Sequence, residues 1–164
     1  MPRRSVPRRL LALGLRAPVV LFDLGAGRLL GHRFLLLTHR GRRTGFVRRT
    51  VLEVLRWDPD RREAVVLAGF GPDSDWLRNI ERAPALEVQV GRDRFVPAHR
   101  VLGPAEAAAS LAGYEQRNRA IAPIVRAILS RLAGFRYDGS SAGRARLLTE
   151  LPVVAFWPAR QEPA

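Results

Sequence analysis

The sequence contains no cysteine, which excludes disulfide scaffolds, thiolate metal sites, iron–sulfur clusters and cysteine nucleophiles. It contains no lysine either. All 28 basic residues are arginine, against 15 acidic ones, for a net charge of +13. A Walker-type phosphate loop, which ends in G-K-[ST], is therefore absent. Aromatic residues make up only 7% of the chain and form no stacking platform interleaved with basic residues, which argues against nucleic acid as a partner. Three histidines without an H-E-x-x-H or similar spacing offer no dedicated metal site. No G-x-S-x-G marks a serine hydrolase. Long apolar runs are also missing. A spanning helix needs about 20 apolar residues, whereas the run at residues 10–15 stops at Arg16 and the next is broken by Asp23. Both are too short and too interrupted for a secretory signal.

What is present describes one ordinary domain. The chain has 164 residues, 47% hydrophobic and 26% charged, enough to bury a sizeable core. It shows no internal repeat and no linker. The arginine excess is the complement of an acidic ligand, an anionic lipid or a nucleic acid. Guanidinium forks suit bidentate binding of phosphate and carboxylate, although base-composition drift replaces lysine by arginine with the same result. Residues 1–33 read as an amphipathic helical segment broken near Pro18 and followed by a glycine-rich joint. This segment can cover the core, or residues 1–30 can lie on a lipid surface with their arginines towards the headgroups.

Strands are expected at 34–38, 48–57, 63–68, 86–90, 94–101 and 151–157, from period-2 alternation and the turn residues between them. Residues 91–93 close a hairpin. Helices are expected at 76–81, capped by Asp75, at 104–119, at 121–133 and at 144–150. In the third of these, Ile124, Ile128 and Leu132 form one apolar face. About six strands with few long helices predict an α+β chain: an antiparallel sheet or small barrel with peripheral helices, and no Rossmann-type alternation.

The chemistry concentrates in two runs. Residues 36–52 read strand, Gly/Arg turn, strand. Gly41 and Gly45 allow a tight turn that presents N–H groups. Arg42, Arg43, Arg48 and Arg49 supply forked donors, and Thr44 and Thr50 supply hydroxyls. By spacing alone this is an anion-binding turn or a solvated basic hairpin tip. The second run, residues 68–79, places Ala68, Gly69, Phe70 and Gly71 after a strand and before the helix that carries Trp76. A ligand can approach backbone closely there, or the run is a plain strand-to-helix loop with Trp76 filling the core.

Together these runs resemble the deazaflavin-dependent nitroreductase family, split-β-barrel reductases that use coenzyme F420. The first family motif, L-x-T-x-G-R-[KR]-[ST]-G-x-x-R-x-T, stands here, with one more residue between its threonine and first glycine, as Leu36, Thr38, Gly41, Arg42, Arg43, Thr44, Gly45, Arg48 and Thr50. The second stands as Ala68 to Gly71, reading Gly-Phe-Gly where the nitroreductase branch has a serine. The third stands as Trp76, Asn79, Ile80, Ala83 and Pro84. The helical insertion at 104–150 lies where the family's substrate-side wall is usually shorter.

The resemblance implies a split β-barrel of about six strands. It implies F420 held by Arg42, Arg43, Thr44, Gly45, Arg48, Arg49 and Thr50, with residues 68–71 and Trp76 beside it. It further implies hydride transfer to a planar acceptor such as a quinone or nitroaromatic, a separate enzyme that reduces F420, and a cytoplasmic place, with membrane association at the inner face left open. The cofactor carries the reactive chemistry, so only a proton donor is sought. Tyr114, Tyr137 and His39 are the candidates, each with a structural role as the alternative. FMN in a related barrel, and a non-catalytic F420- or anion-binding protein, remain the competing expectations.

Overall fold

The computed structural model describes Phe22 and residues 31–160, and residues 34–158 of it form seven antiparallel strands and four α-helices. The helical segment expected at 1–33 lies outside the described residues except for Phe22 and its last three positions. Strands β1 (Phe34–Arg40), β2 (Val47–Asp58) and β3 (Glu63–Leu67) form a meander. Helix α1 (Asp75–Arg82) follows a 3-10 turn at Gly71–Asp73. Strands β4 (Glu87–Val90), β5 (Asp93–Phe95) and β6 (Pro97–Val101) come next. Helices α2 (Pro104–Arg117), α3 (Ala122–Ala133) and α4 (Ser141–Glu150) precede the closing strand β7 (Val153–Pro158).

The sheet order is β5-β4-β1-β2-β3-β7-β6. The two strands at its ends, β5 and β6, are consecutive in the chain and separated only by Val96. The sheet therefore curls into a nearly closed barrel, which removes most of its edge. This splits the single strand expected at 94–101. One half pairs with β4 and the other with β7. Pro97 enforces the switch, because it has no N–H to continue the first ladder. The fold class is α+β, as expected, with seven strands rather than six.

Alternation sorts side chains to the two faces of the sheet. Leu35, Leu37, Leu52, Val54, Val66 and Val88 point into the barrel, where Trp76, Leu77 and Ile80 of α1 join the same core. On the outer face, Leu55, Val65, Val153 and Ala155 pack against Leu111, Val125, Leu129 and Leu147 of the three later helices. Leu36 and Val51, also outward, are covered by Phe22. A bulge between Val54 and Arg56 shifts the β2–β3 register; before it, ordinary alternation puts Val54 inside the wall and Leu55 outside.

Two expected helix features come out differently. Ser74, not Asp75, precedes α1 as its N-cap. The Ser74 hydroxyl donates back to the Gly71 carbonyl at 2.8 Å, while Asp75 is already helical and turns its carboxylate to Arg42. In α3 the buried residues are Val125 and Leu129, while Ile124 and Ile128 are 59% and 54% exposed. The isoleucines do share one face, but the helix is rolled by about one residue, roughly 100°, from the orientation that would bury them. Among the described residues no helix is long and apolar enough to cross a membrane, and no cluster of His, Cys, Asp or Glu could hold a metal ion.

Candidate functional site

The β1–β2 hairpin begins the site. Pairing runs from Phe34↔Glu53 to Arg40↔Val47, so residues 41–46 form the turn. The Gly41 N–H donates to the Phe46 carbonyl at 2.8 Å and the Gly45 N–H to the Gly41 carbonyl at 2.7 Å. Gly45 has φ +70°, and a Cβ on Gly41 would lie 2.8 Å from Arg48 Nε and 2.9 Å from Thr44 Oγ1. These glycines let the turn fold back on itself with arginine and threonine side chains laid over it.

Helix α1 supplies the support. Asn79, 3% exposed, accepts from the Arg42 backbone N–H and from Arg42 Nη1, each at 3.0 Å. Its Nδ2 donates to His39 Nδ1 at 3.1 Å. The amide orientation is fixed, because both Arg42 groups are donors and must face the amide oxygen. His39 Nδ1 is then an acceptor, and Nε2–H donates to Thr50 Oγ1 at 3.1 Å. The Thr50 hydroxyl hydrogen is left to donate elsewhere. Burial is the main cause that pushes the His39 pKa below its ordinary value. Arg48 lowers it further, while a backbone hydrogen bond at Arg40 and the charge of Asp75 act the other way.

A cavity of about 200 Å³ opens over this turn, lined by Gly41, Arg42, Arg43, Thr44, Arg48, Asp75 and Asn79. Arg42 is committed to the scaffold through Asn79 and through Asp75 Oδ1 at 2.9 Å. Arg43 and Arg48 are exposed and make no ion pair among the described residues, so their guanidinium groups remain available to an incoming anion.

Further along the same strand lies an apolar cleft of about 260 Å³. Strand β2 gives one wall, from Thr50 to Leu55. Gly69, Phe70 and Trp76 give the end, and Val125, Ile128, Leu129 and Leu132 of α3 the other wall. A Cβ on Gly69 would lie 3.2 Å from Leu132, so the loop backbone and α3 are in close contact. Ala68 is fully buried. Its N–H donates to the Pro152 carbonyl and its carbonyl accepts from the Gly71 N–H, so it shapes the loop from beneath. Gly71 has φ +71°, and a Cβ there would lie 3.0 Å from the Glu150 carbonyl oxygen, so it is equally a shaping residue.

Tyr114 lines the cleft and donates to Glu53 Oε1 at 2.7 Å. Burial, then the hydrogen bond to Glu53, pushes its pKa up. Tyr137 lies elsewhere: it donates to Glu115, which also holds Arg144, and it does not line the cleft. His39 has both ring nitrogens engaged beneath the turn. Glu53 is the site residue that sequence reasoning passed over. Its signal is a single carboxylate set between the apolar Val51 and Leu55 in the outward-facing row of β2.

The model of the F420H(2)-dependent quinone reductase family matches residues 23–123, well over half of the chain. The chain belongs to this family. It is thereby an F420H2-dependent oxidoreductase, as the resemblance of its three motifs implied. The match covers the first six strands, α1 and α2, and stops at the start of α3. No curated protein matches the chain. Among solved structures it is similar to an F420-H2 dependent reductase, FDR-A, at 18% identity over 77% of this chain and 96% of that one, with a TM-score of 0.42. It is also similar to the conserved hypothetical protein Rv2991 from Mycobacterium tuberculosis, at 13% identity over 87% and 91% with a TM-score of 0.44. A third is a pyridoxamine 5'-phosphate oxidase-related, FMN binding protein from Nostoc punctiforme PCC 73102, at 12% identity over 86% and 78% with a TM-score of 0.40.

Proposed function

We propose that this family member reduces a planar, quinone-type acceptor, holding the polyanionic end of F420 at the β1–β2 turn and its ring in the apolar cleft. One observation carries this reading: strand β2 runs without interruption from the guanidinium-lined cavity at Arg48 into the cleft at Thr50 and Val51. The donor set fits the cofactor. Arg43, Arg48 and the Thr44 hydroxyl are suited to a phosphodiester and carboxylates, and the cleft beyond is apolar, as a flat ring system requires.

When bound, F420H2 supplies a hydride from its deazaflavin ring. The chain supplies placement and a proton-holding wall. Arg42, fixed by Asn79 and Asp75, sets the shape of the turn, and Arg43 and Arg48 neutralise the bound anion. Arg49 stands next to them on β2 as a further cation. Thr50, with its oxygen already accepting from His39, turns its hydrogen towards whatever occupies the cleft mouth. Gly69 and Phe70 close the end, and Trp76 gives it a rigid floor.

Tyr114 keeps its proton on Oη at neutral pH, because burial and the Glu53 carboxylate both disfavour the phenolate. Glu53 is half-exposed and joins that proton to solvent. Charge developing on a reduced acceptor would thus meet a held proton at one defined place in the wall.

The test is direct. The purified protein is titrated with F420 and with FMN, and F420H2 oxidation is followed with quinones and nitroaromatics. Micromolar or tighter F420 binding and quinone-dependent oxidation are expected. Tight FMN binding without F420 binding would overturn the proposal, and F420 binding without turnover on any acceptor would reduce the protein to a carrier.

A further inference from the structure

Helix α3 carries an apolar stripe that stays exposed among the described residues. Val125 and Leu129 anchor the helix to the core, while Ile124 and Ile128 stand 59% and 54% exposed on its outer side. Ile121, 37% exposed in the preceding 3-10 turn, extends the stripe at one end. Phe70, 42% exposed, lies at the other side of the same opening. Ile128 and Phe70 both line the apolar cleft, so the stripe is continuous with its mouth. Most of α3 falls beyond the family match, which ends at residue 123.

Charge says what could cover this stripe. Between Glu115 and Asp138 the sequence has no acidic residue and five arginines: Arg117, Arg119, Arg126, Arg131 and Arg136. Arg131 follows Ile128 by three positions and so extends the isoleucine row. A short helix with exposed branched apolar residues, flanked by cations and lacking any anion, is the pattern of a helix lying in a lipid interface. Arg117 is bound to the Leu55 carbonyl and Arg119 and Arg126 line a separate pocket with Glu115, but Arg131 and Arg136 make no ion pair among the described residues; a protein partner or second copy would have to bury those two charges together with the isoleucines. An anionic bilayer offers hydrocarbon to the one and phosphate to the other.

We propose that α3 docks this protein on an anionic lipid surface, with Ile121, Ile124, Ile128 and Phe70 inserted at the level of the acyl chains and Arg131, with Arg136 beyond it, on the headgroups. In this orientation the cleft opens towards the hydrocarbon, so an apolar acceptor dissolved there enters without crossing water. That use of the surface rests on the proposed function, whereas the docking itself does not.

The full chain is sedimented with vesicles of phosphatidylglycerol plus phosphatidylcholine, and with phosphatidylcholine alone. Binding is expected only to the former, falling with added salt. The double variant I124D/I128D, which alters only exposed side chains, is expected to weaken partitioning by about tenfold or more. A second variant, Ile128→Trp, is examined with lipids brominated along the acyl chain, where quenching of the new indole reports its depth directly. Absence of binding, unchanged binding of I124D/I128D, or an Ile128→Trp indole that bromolipids do not quench each overturns the proposal. So does a wild-type dimer in light scattering that I124D/I128D dissociates, since the stripe would then belong to a second copy. None of these readouts uses F420, so their failure leaves the proposed reductase reading standing.

Discussion

Replacing Asn79 separates the two halves of the site. Asn79→Ala removes three hydrogen bonds, to Arg42 N, Arg42 Nη1 and His39 Nδ1. Arg42 keeps Asp75, and water can reach its partly exposed groups. His39, 2% exposed, has no such substitute, so Nδ1 is left buried and unpaired. One buried unsatisfied group costs about 1–3 kcal/mol and each of the two replaceable bonds about 0.5–1.5, so a loss of roughly 2–6 kcal/mol is expected. Urea unfolding measures it as a lower midpoint at unchanged slope.

Asn79→Asp tests the same geometry from the other side. The carboxylate still accepts from Arg42 but can no longer donate to His39. A second acceptor now faces Nδ1, and the imidazole is satisfied there only when Nδ1 carries a proton. The His39 pKa is therefore expected to move up relative to the wild type, as followed by nitrogen-15 NMR of the ring. An Asn79→Ala variant within about 0.5 kcal/mol of wild type, or a His39 that titrates identically in Asn79→Asp, would refute the reasoning.

Three further outcomes follow from the same structure. His39 and His99 are both pushed below the ordinary histidine value of 6.5, chiefly by burial. The unfolded chain therefore takes up protons first as pH falls below that value, and stability should decline until the folded-state values are passed. Thermal melts read from neutral pH downwards should show this decline, and His39→Gln should blunt it. Removing both uncommitted guanidinium groups, as Arg43→Gln with Arg48→Gln, should weaken F420 binding by roughly tenfold or more per arginine. It should also flatten the salt dependence of that binding, with the melting temperature little changed. Tyr114→Phe should lower the turnover of acceptor by at least about tenfold while F420 affinity stays the same; equal loss of both would assign Tyr114 to packing.

The sequence by itself determined the local parts. Period-2 alternation laid out the strands, and Gly41, Gly45 and the arginines between them specified a tight, arginine-lined turn. Three motifs in order were sufficient for the family. These features are legible because each depends on neighbours a few residues apart, through strand pleat, turn geometry and charge density.

The tertiary structure decided which distant groups meet. His39 and Asn79 are 40 residues apart and Glu53 and Tyr114 are 61 apart, and no local pattern pairs them. It also decided that Tyr137 sits with Glu115 rather than in the cleft, that Arg42 is held by the scaffold, and that one strand divides at Val96 to close the barrel. The roll of α3 is the plainest case. Ile124, Ile128 and Leu132 satisfy helical spacing as well as Val125 and Leu129 do, so periodicity alone could not say which row faces inward. Burial is settled by the shape of the surface the helix meets, here the outer wall formed by Leu55, Val65 and Val153, and that surface exists only once strands far apart in sequence have been brought side by side.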